Sequence, residues 1–354
     1  MSNPERPLIR PQLLAILACP NCGHGSLQYE PPAAQRPPEL RCGVCGGRYG
    51  FANGMPLLYK DDFTWAPKQR EAQGWVAMWQ SLGLLDQDPP LSLDMPFGAG
   101  AEPWITIERM FRAALFQMDL RGGEWVLDIG AGEGWASQQF AKRGANAVAI
   151  DVVPDSRLGL GRAWRRMELS GTCFDLLIGD NENLPFLPGS FDIVFASNAL
   201  HHHNDLGALF GSISKVLKPG GRLIAIGDPL VPIYRRESDM TDGDREKSFG
   251  IIERRRHLHE YVLALWRAGF RGLHMEDDKT FWKRNAELYP WMDQECQQIN
   301  QNPFLGSTAT TRLLTWTMLR LPRPFAVAML LALREGSLLM ISGRKPAGSS
   351  APGG

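Results

Sequence analysis

The chain has 354 residues, of which 44 % are hydrophobic, so it is long enough for more than one folded unit with a sizeable core. Lysine plus arginine number 38, and so do aspartate plus glutamate, which leaves no global field to attract nucleic acid or an anionic membrane. Six cysteines are too few for a disulfide scaffold, and four of them form two CxxC pairs, which favours metal binding in a reducing compartment. The first residues lack the pattern of a secretory signal, so we expect a cytoplasmic protein.

The first predicted module, residues 1–60, carries both cysteine pairs. Cys19 and Cys22, and then Cys42 and Cys45, are each spaced so that a tight turn can point both thiolates at one ion. Four thiolates complete a closed tetrahedral site with no open position for a substrate, so we expect structural Zn²⁺ that supplies folding energy.

The sequence around these pairs reads LLAILACPNCG and, after a proline-rich excursion, LRCGVCGGRYGFANGMPLLY. Over residues 12–59 it resembles the small zinc-ribbon family whose members partner and activate methyltransferases. Residues 61–103 contain short helical patterns interrupted by Pro89 and Pro90, and we interpret them as a helical connector.

From residue 104 onward, predicted helices and strands alternate. The first helix of this part begins near Ile107. Strands are expected at 125–129, 147–150, 174–179, 191–197, 221–227, 270–276 and 337–342. Such alternation is typical of an α/β protein with a doubly wound, largely parallel sheet.

A long segment separates the last two predicted strands. Because a bare loop of that length is uncommon in a compact domain, we expect a helical C-terminal cap insertion there. Apolar residues at 311–334 could form a pocket or a peripheral membrane contact, but a plain core helix pair is the favoured interpretation. The predicted boundaries are core 104–277, cap 278–336, last core strand 337–345 and disordered tail 346–354.

The first core strand runs into a glycine turn. Gly130, Gly132 and Gly134 follow Asp128 at alternating positions, which would let a cofactor approach the backbone closely. A dinucleotide fingerprint needs its third glycine one place later, where this chain has Trp135, so pyrophosphate binding is the weaker interpretation.

Polar residues at the ends of later strands make the pattern more specific. Asp151 ends the second core strand, about 20 residues after the turn, where a carboxylate can accept both hydroxyls of a ribose. Asp180 and Asn181 follow the third strand, where they could accept a hydrogen bond from an adenine amino group, and Ser197 and Asn198 end the fourth.

Over roughly residues 105–275 this set resembles a class I S-adenosylmethionine-dependent methyltransferase of the type-11 group. The resemblance implies a seven-stranded Rossmann-like sheet whose last strand is antiparallel. It implies S-adenosyl-L-methionine as the cofactor, held by Asp128, Gly130, Gly132, Gly134, Asp151, Val152, Asp180, Asn181 and Ser197. Asn198 would then lie near the reacting methyl group.

Transfer from a sulfonium mainly requires alignment of the nucleophile and exclusion of water. His201 and His202 follow the fourth strand at the edge where open α/β sheets bind ligands, so we assign them, with Asn198, as candidate catalytic residues. The favoured alternative is a polar helix start in which the histidines orient the loop. The arginine run at 254–256 could bind an anionic group, although a solvated face is the favoured interpretation.

These patterns predict a methyltransferase that acts on a small-molecule acceptor, lipid- or sugar-linked, by O- or C-methylation. One alternative is a ribosomal RNA base methyltransferase, against which the balanced charge counts. Another is a non-catalytic scaffold whose zinc ribbon recruits a partner. The sequence does not predict an oligomeric state.

Overall fold

The computed structural model describes residues 9–33, 36–60, 62, 65–85, 91–98, 100–240, 243–276, 328, 332 and 338–347. The cap predicted at 278–336, with its suggested membrane contact, lies outside the described residues except for Ala328 and Ala332. The tail beyond residue 347 also lies outside them.

The N-terminal module contains one short helix and five strands. These are α1 Pro11–Leu14, β1 Leu27–Glu30, β2 Glu39–Cys42, β3 Arg48–Tyr49, β4 Phe51–Ala52 and β5 Met55–Leu58. Strands β1, β2 and β3 form a small antiparallel sheet, to which the first cysteine of the second pair belongs.

The remaining helices and strands follow this module. From residue 104 onward they largely alternate as predicted, although only a 3₁₀ turn at 181–183 separates the third and fourth core strands. The helices are α2 Trp65–Ser81, α3 Trp104–Met118, α4 Trp135–Ala141, α5 Ala163–Ser170, α6 Leu206–Val216, α7 Asp244–Ser248 and α8 Leu258–Arg267. The strands are β6 Trp125–Ile129, β7 Asn146–Asp151, β8 Asp175–Gly179, β9 Phe191–Ser197, β10 Leu217–Pro229, β11 Arg271–Glu276 and β12 Leu338–Arg344.

The large sheet has nine strands within the described part of the chain, not the seven predicted. Its order is β11-β12-β10-β9-β6-β7-β8-β5-β4. The two additional strands come from the N-terminal module: β5 pairs in parallel with β8, with Leu57 opposite Ile178, and β4 pairs with β5. Strand β12 is antiparallel to both of its neighbours, as the resemblance implied for the last strand.

Both faces of this sheet are covered. On one face Phe195 packs edge-on against Phe111 of α3 and Phe140 of α4, with ring centroids 5.6 and 5.2 Å apart. Parallel strands buried on both faces read as continuous apolar runs, which explains why the core strands were predictable from the sequence.

The N-terminal module packs onto the opposite face. Fully buried Leu17 belongs to the same apolar cluster as Phe186. The Ala18 N–H donates to the Pro185 carbonyl at 2.9 Å, and the Leu187 N–H donates to the Ile16 carbonyl at 2.8 Å. The module and the large sheet therefore share one core.

Helix α2 lies within the predicted connector and packs against the loops at one end of the sheet. Trp75 meets the His202 ring edge-on, with centroids 5.6 Å apart. A Cβ on Gly74 would lie 2.3 Å from the Phe249 carbonyl oxygen, so this contact requires glycine. No helix in the described ranges is long and apolar enough to cross a membrane.

Candidate active site

The glycine turn lies between β6 and α4, at the carboxyl end of the central strand. Gly130, Gly132 and Gly134 have φ angles of 62°, 54° and 74°, which belong to the left-handed region. A Cβ on Gly130 would also lie 2.6 Å from the Ala199 Cβ. Glycine is therefore required at Gly130 for both conformation and close approach.

Asp151, the last residue of β7, fastens this turn to the neighbouring strand. Its Oδ2 accepts a hydrogen bond from the Gly132 N–H at 2.8 Å, and its Oδ1 accepts one from the Val153 N–H at 2.9 Å. Burial raises the pKa of Asp151 above its usual value. The hydrogen bond to Gly132 holds Asp151, the acid predicted to bind the ribose, directly beside the glycine turn. Val152, the next residue along the chain, is half-buried.

Asp128 supports the turn from inside the fold. Its Oδ2 accepts hydrogen bonds from the backbone N–H of Ser137 at 3.1 Å and from its hydroxyl at 2.7 Å. Burial raises the pKa of Asp128 to about 7. The carboxylate thus ties β6 to α4.

The residues predicted to meet an adenine lie after β8. Asp180 accepts a hydrogen bond from the Glu182 N–H at 3.0 Å and opens a single 3₁₀ turn. Asn181 Nδ2 lies 3.2 Å from His203 Nε2. The loop after β8, which holds Asp180 and Asn181, is therefore in direct contact with the loop after β9, residues 198–204, which we call the histidine loop.

Asn198 follows the last residue of β9 in a left-handed conformation, with φ at 51°. Its N–H donates to the Ile226 carbonyl at 2.8 Å, and its Nδ2 donates to the Ser197 hydroxyl at 3.2 Å. A Cβ on Gly227 would lie 2.6 Å from the Asn198 side-chain oxygen. Sparsely populated backbone conformations of this kind cluster at functional sites.

His201 and His202 occupy the 3₁₀ turn that follows Asn198. His201 Nδ1 lies 2.8 Å from Asp228 Oδ1, and its Nε2 lies 3.6 Å from Glu253 Oε2. Burial lowers the pKa of His201 to about 3 and raises that of Asp228 to about 7. The His201 imidazole is therefore neutral near pH 7, with Nδ1–H on Asp228 and the Nε2 lone pair facing Glu253.

Three buried charged residues beside these histidines were missed by the sequence analysis: Lys68, Glu71 and Glu253. Lys68 Nζ lies 3.8 Å from Glu182 Oε1, and Glu71 Oε1 lies 3.9 Å from His202 Nδ1. Burial raises the pKa of Glu71 to about 8 and that of Glu253 to about 7. No motif marks these residues. Lys68 and Glu71 lie on helix α2 and Glu253 in the loop before α8, and a charge in either place is assigned by default to solvent.

The arginine run also differs from its interpretation as a solvated face. Helix α8 begins only at Leu258, so the run lies in the preceding loop. Arg256 donates to the carbonyls of His203 and Asn204, at 2.8 Å each. The solvated-face interpretation is wrong for Arg256, whose two hydrogen bonds stabilise the histidine loop.

The four paired cysteines come together in the N-terminal module. Cys19 Sγ lies 3.5 Å from Cys45 Sγ, and Cys22 Sγ lies 3.7 Å from Cys42 Sγ. All four sulfur atoms lie within 4.8 Å of one another. Sulfur atoms at the corners of a tetrahedral zinc site with bonds of about 2.3 Å are about 3.8 Å apart, so the cluster has the dimensions of such a site.

A glycine turn after the central strand and an acid at the end of the next strand also occur in dinucleotide-binding domains. Together with the antiparallel strand β12 between β10 and β11, they give the arrangement of the class I methyltransferase fold. Residues 127–225 match a family profile described as "Methyltransferase domain". The solved structure of the cyclase SpnF aligns with a TM-score of 0.51 and 18 % identity, covering 80 % of this chain and 98 % of that one, which supports the fold alone.

The relatives define the family. The chain is 34 % identical over 206 residues to the demethylmenaquinone methyltransferase of Corynebacterium glutamicum, covering 55 % of this chain and 74 % of the relative. It therefore belongs to the S-adenosylmethionine-dependent methyltransferases.

Other curated relatives are matched over about half of their length. The phthiotriol/phenolphthiotriol dimycocerosates methyltransferase of Mycobacterium tuberculosis is 30 % identical over 138 residues, 38 % of this chain and 48 % of the relative. The demethylmenaquinone methyltransferase of Corynebacterium kroppenstedtii is matched over 51 % of its length.

Proposed function

We propose that this protein transfers the methyl group of S-adenosylmethionine to an oxygen or carbon atom of a small-molecule acceptor of quinone or lipid type. The observation that carries the proposal is the Asp151 carboxylate, fixed 2.8 Å from the Gly132 N–H at the carboxyl edge of the sheet. That edge is where open α/β sheets bind their ligands.

The residues at this edge fit the cofactor. A Cβ on Gly132 would meet nothing within 4 Å, so this glycine leaves room beside the turn for the methionine and ribose portions. Gly130 and Gly134, by contrast, are packed against Ala199 and Phe174 and hold the shape of the turn. Asp151 would still have acceptor capacity for ribose hydroxyls, since a carboxylate offers about four lone-pair positions and its hydrogen bonds from Gly132 and Val153 use one on each oxygen. Asp180 and its neighbour Asn181 would face the adenine. When bound, the cofactor supplies a methyl group on a sulfonium, an already activated leaving group.

The histidine loop would form the acceptor side. Helix α2 places Glu71 and Trp75 over this loop and excludes water from it. Neutral His201, oriented by Asp228, presents Nε2 as a hydrogen-bond or proton acceptor. Asn198 precedes these residues and would lie at the boundary between donor and acceptor.

The acceptor class is supported by the relatives, whose names specify a quinone and a lipid. A quinone and a lipid of these kinds are apolar, in line with the apolar residues of the segment in which the cap is predicted, 278–336. We propose that this cap selects the substrate and that its residues 311–334 contact a membrane surface peripherally. A small-molecule acceptor, rather than nucleic acid, remains the proposed partner.

For the N-terminal module we propose a structural Zn²⁺ held by Cys19, Cys22, Cys42 and Cys45. The sulfur separations support this assignment, as does the Tyr49 hydroxyl 3.0 Å from Cys19 Sγ. Four thiolates close the coordination shell, so the ion would stabilise the module and take no part in transfer. Thiolate coordination suits a reducing compartment, and we place the protein in the cytoplasm.

The proposal is tested by incubating the purified protein with S-adenosylmethionine labelled in its methyl group. Demethylated naphthoquinones in detergent micelles and structured RNA are offered in parallel. We expect label in the organic extract with the wild type and none with Asp151→Ala. Label in the RNA fraction, or in neither fraction when the protein binds the cofactor, would contradict the acceptor class.

A further inference from the structure

Beside the methyl-donor residues lies a compact set of nitrogen and oxygen atoms that methyl transfer alone does not require. His201 Nε2 and His202 Nδ1 lie 3.6 and 3.7 Å from the same atom, Glu253 Oε2. One ligand atom from each of these three residues lies within 4.8 Å of the other two. Glu71 Oε1 adjoins them, 3.9 Å from His202 Nδ1.

These separations are close to those of a transition-metal site. Ligand atoms around a tetrahedral ion with bonds of about 2.1 Å are about 3.4 Å apart. The two nitrogen atoms therefore need to approach Glu253 Oε2 by only a few tenths of an ångström, and they lie within 4.8 Å of each other. His202 Nδ1–H at present donates to the Ile252 carbonyl, a hydrogen bond that an ion on this nitrogen would replace.

The second ring nitrogen of His201 is already engaged. Asp228, completely buried at the end of β10, holds Nδ1 at 2.8 Å and so leaves Nε2 as the free nitrogen directed at Glu253. Metal-binding histidines typically donate their other N–H to a carboxylate, which fixes the tautomer and the ring orientation. This bond distinguishes the cluster from a chance meeting of polar side chains.

Carboxyl groups supply the oxygen ligands of this cluster. Glu253 uses Oε1 toward Arg255 Nε at 3.6 Å, and its Oε2 faces the two histidines. Glu71 and Glu253 are both buried, and a buried carboxyl group is costly unless it is hydrogen-bonded, paired or coordinates a metal. An ion between these groups would satisfy the Glu253 oxygen that faces the histidines.

We propose that His201, His202 and Glu253, with Glu71 adjoining, bind a divalent cation of the Mn²⁺, Fe²⁺ or Zn²⁺ series. Mixed imidazole and carboxylate ligands suit these ions. Three protein ligands leave a coordination position open, and at the acceptor side of the sheet that position would take an oxygen atom of the acceptor. The role of this oxygen depends on the methyl transfer proposed above, but the cation site itself does not. An ion on His201 Nε2 would replace the proton-acceptor role of that nitrogen, and the ion would then polarise the acceptor oxygen instead.

The test uses the full chain loaded with a single equivalent of zinc, which the four thiolates take in preference to a site of imidazole and carboxylate ligands. The thiolates then do not compete for the probe, and the proposed site stays free. Mn²⁺, which prefers oxygen and nitrogen ligands, is titrated and its free signal is followed by electron paramagnetic resonance. We expect about one Mn²⁺ per chain, and at least tenfold weaker binding in Glu253→Gln. Glu168→Gln, which removes a surface carboxylate paired with Arg165, is the matched control and should bind as the wild type does.

Absence of Mn²⁺ binding to the wild type, or equal binding by Glu253→Gln, would overturn the site. If Glu253→Gln does not fold, as judged by circular dichroism, His201→Gln replaces it and has to weaken binding to the same degree. Titration of the Mn²⁺-loaded wild type with S-adenosylmethionine separates the two proposals. Cation binding without cofactor binding would refute the methyl transfer and retain the cation site.

Discussion

Replacement of Asp151 by alanine tests the cofactor site most sharply. In the folded protein this carboxylate receives the N–H groups of Gly132 and Val153 and is the proposed acceptor for two ribose hydroxyls. A hydrogen bond to a charged group contributes about 1.5–3 kcal/mol, so two lost ribose bonds cost about 3–6 kcal/mol. At about 1.4 kcal/mol per tenfold change, the Kd should rise by about 100-fold or more.

The assay is calorimetric titration with S-adenosylhomocysteine, with circular dichroism to confirm that the variant folds. Asp192→Ala is the matched control, because Asp192 also accepts a backbone hydrogen bond, from the Trp125 N–H at 2.9 Å. Asp192 lies at the amino end of β9, at the end of the strands opposite to the glycine turn. The Asp192→Ala variant should therefore leave the cofactor affinity unchanged. If the Kd of Asp151→Ala is within about threefold of the wild-type value, the loss of binding free energy is under about 1 kcal/mol. That result would refute the assignment of Asp151 as the ribose-binding residue.

Three further predictions concern stability. Burial raises the pKa of Asp128 from 3.8 to about 7, so the wild type loses stability as the pH rises from about 4 to about 7. The loss is at most about 4 kcal/mol at pH 8, and Asp128→Asn should remove it, as measured by urea titrations at several pH values. The same pH dependence in the variant and the wild type would refute this prediction. Gly130→Ala should destabilise the fold by more than Gly132→Ala, whose Cβ would meet nothing within 4 Å, and equal costs would contradict the packing account. Cys19→Ser should lower both the bound zinc and the melting temperature, whereas full zinc content would exclude this thiolate as a ligand.

The core of the sheet could be predicted from the sequence because its strands carry local signals. Val126, Leu127 and Ile129 form an apolar run that ends at the glycine turn, and β6 occupies the predicted residues. The same holds for Asp151, whose place at the end of its strand followed from spacing alone. Boundaries were less certain: β10 extends over Leu217–Pro229, beyond the predicted 221–227.

The nine-stranded sheet could not be predicted, because its additional pairing joins residues far apart in sequence. Leu57 opposes Ile178, and nothing in FANGMPLL distinguishes a ribbon strand from a strand added to another sheet. The role of α2 was hidden for a related reason. Lys68 and Glu71 are buried by the loops that fold over them, and a local pattern of charges assigns such residues to solvent.

The central claim is that the carboxyl edge of this sheet binds S-adenosylmethionine. It is tested most directly by calorimetric titration of zinc-assayed wild-type protein with S-adenosylmethionine and S-adenosylhomocysteine. The account predicts about one cofactor per chain with a Kd on the order of micromolar for both ligands. Folded, zinc-containing protein that binds neither ligand would contradict the claim and favour a non-catalytic scaffold.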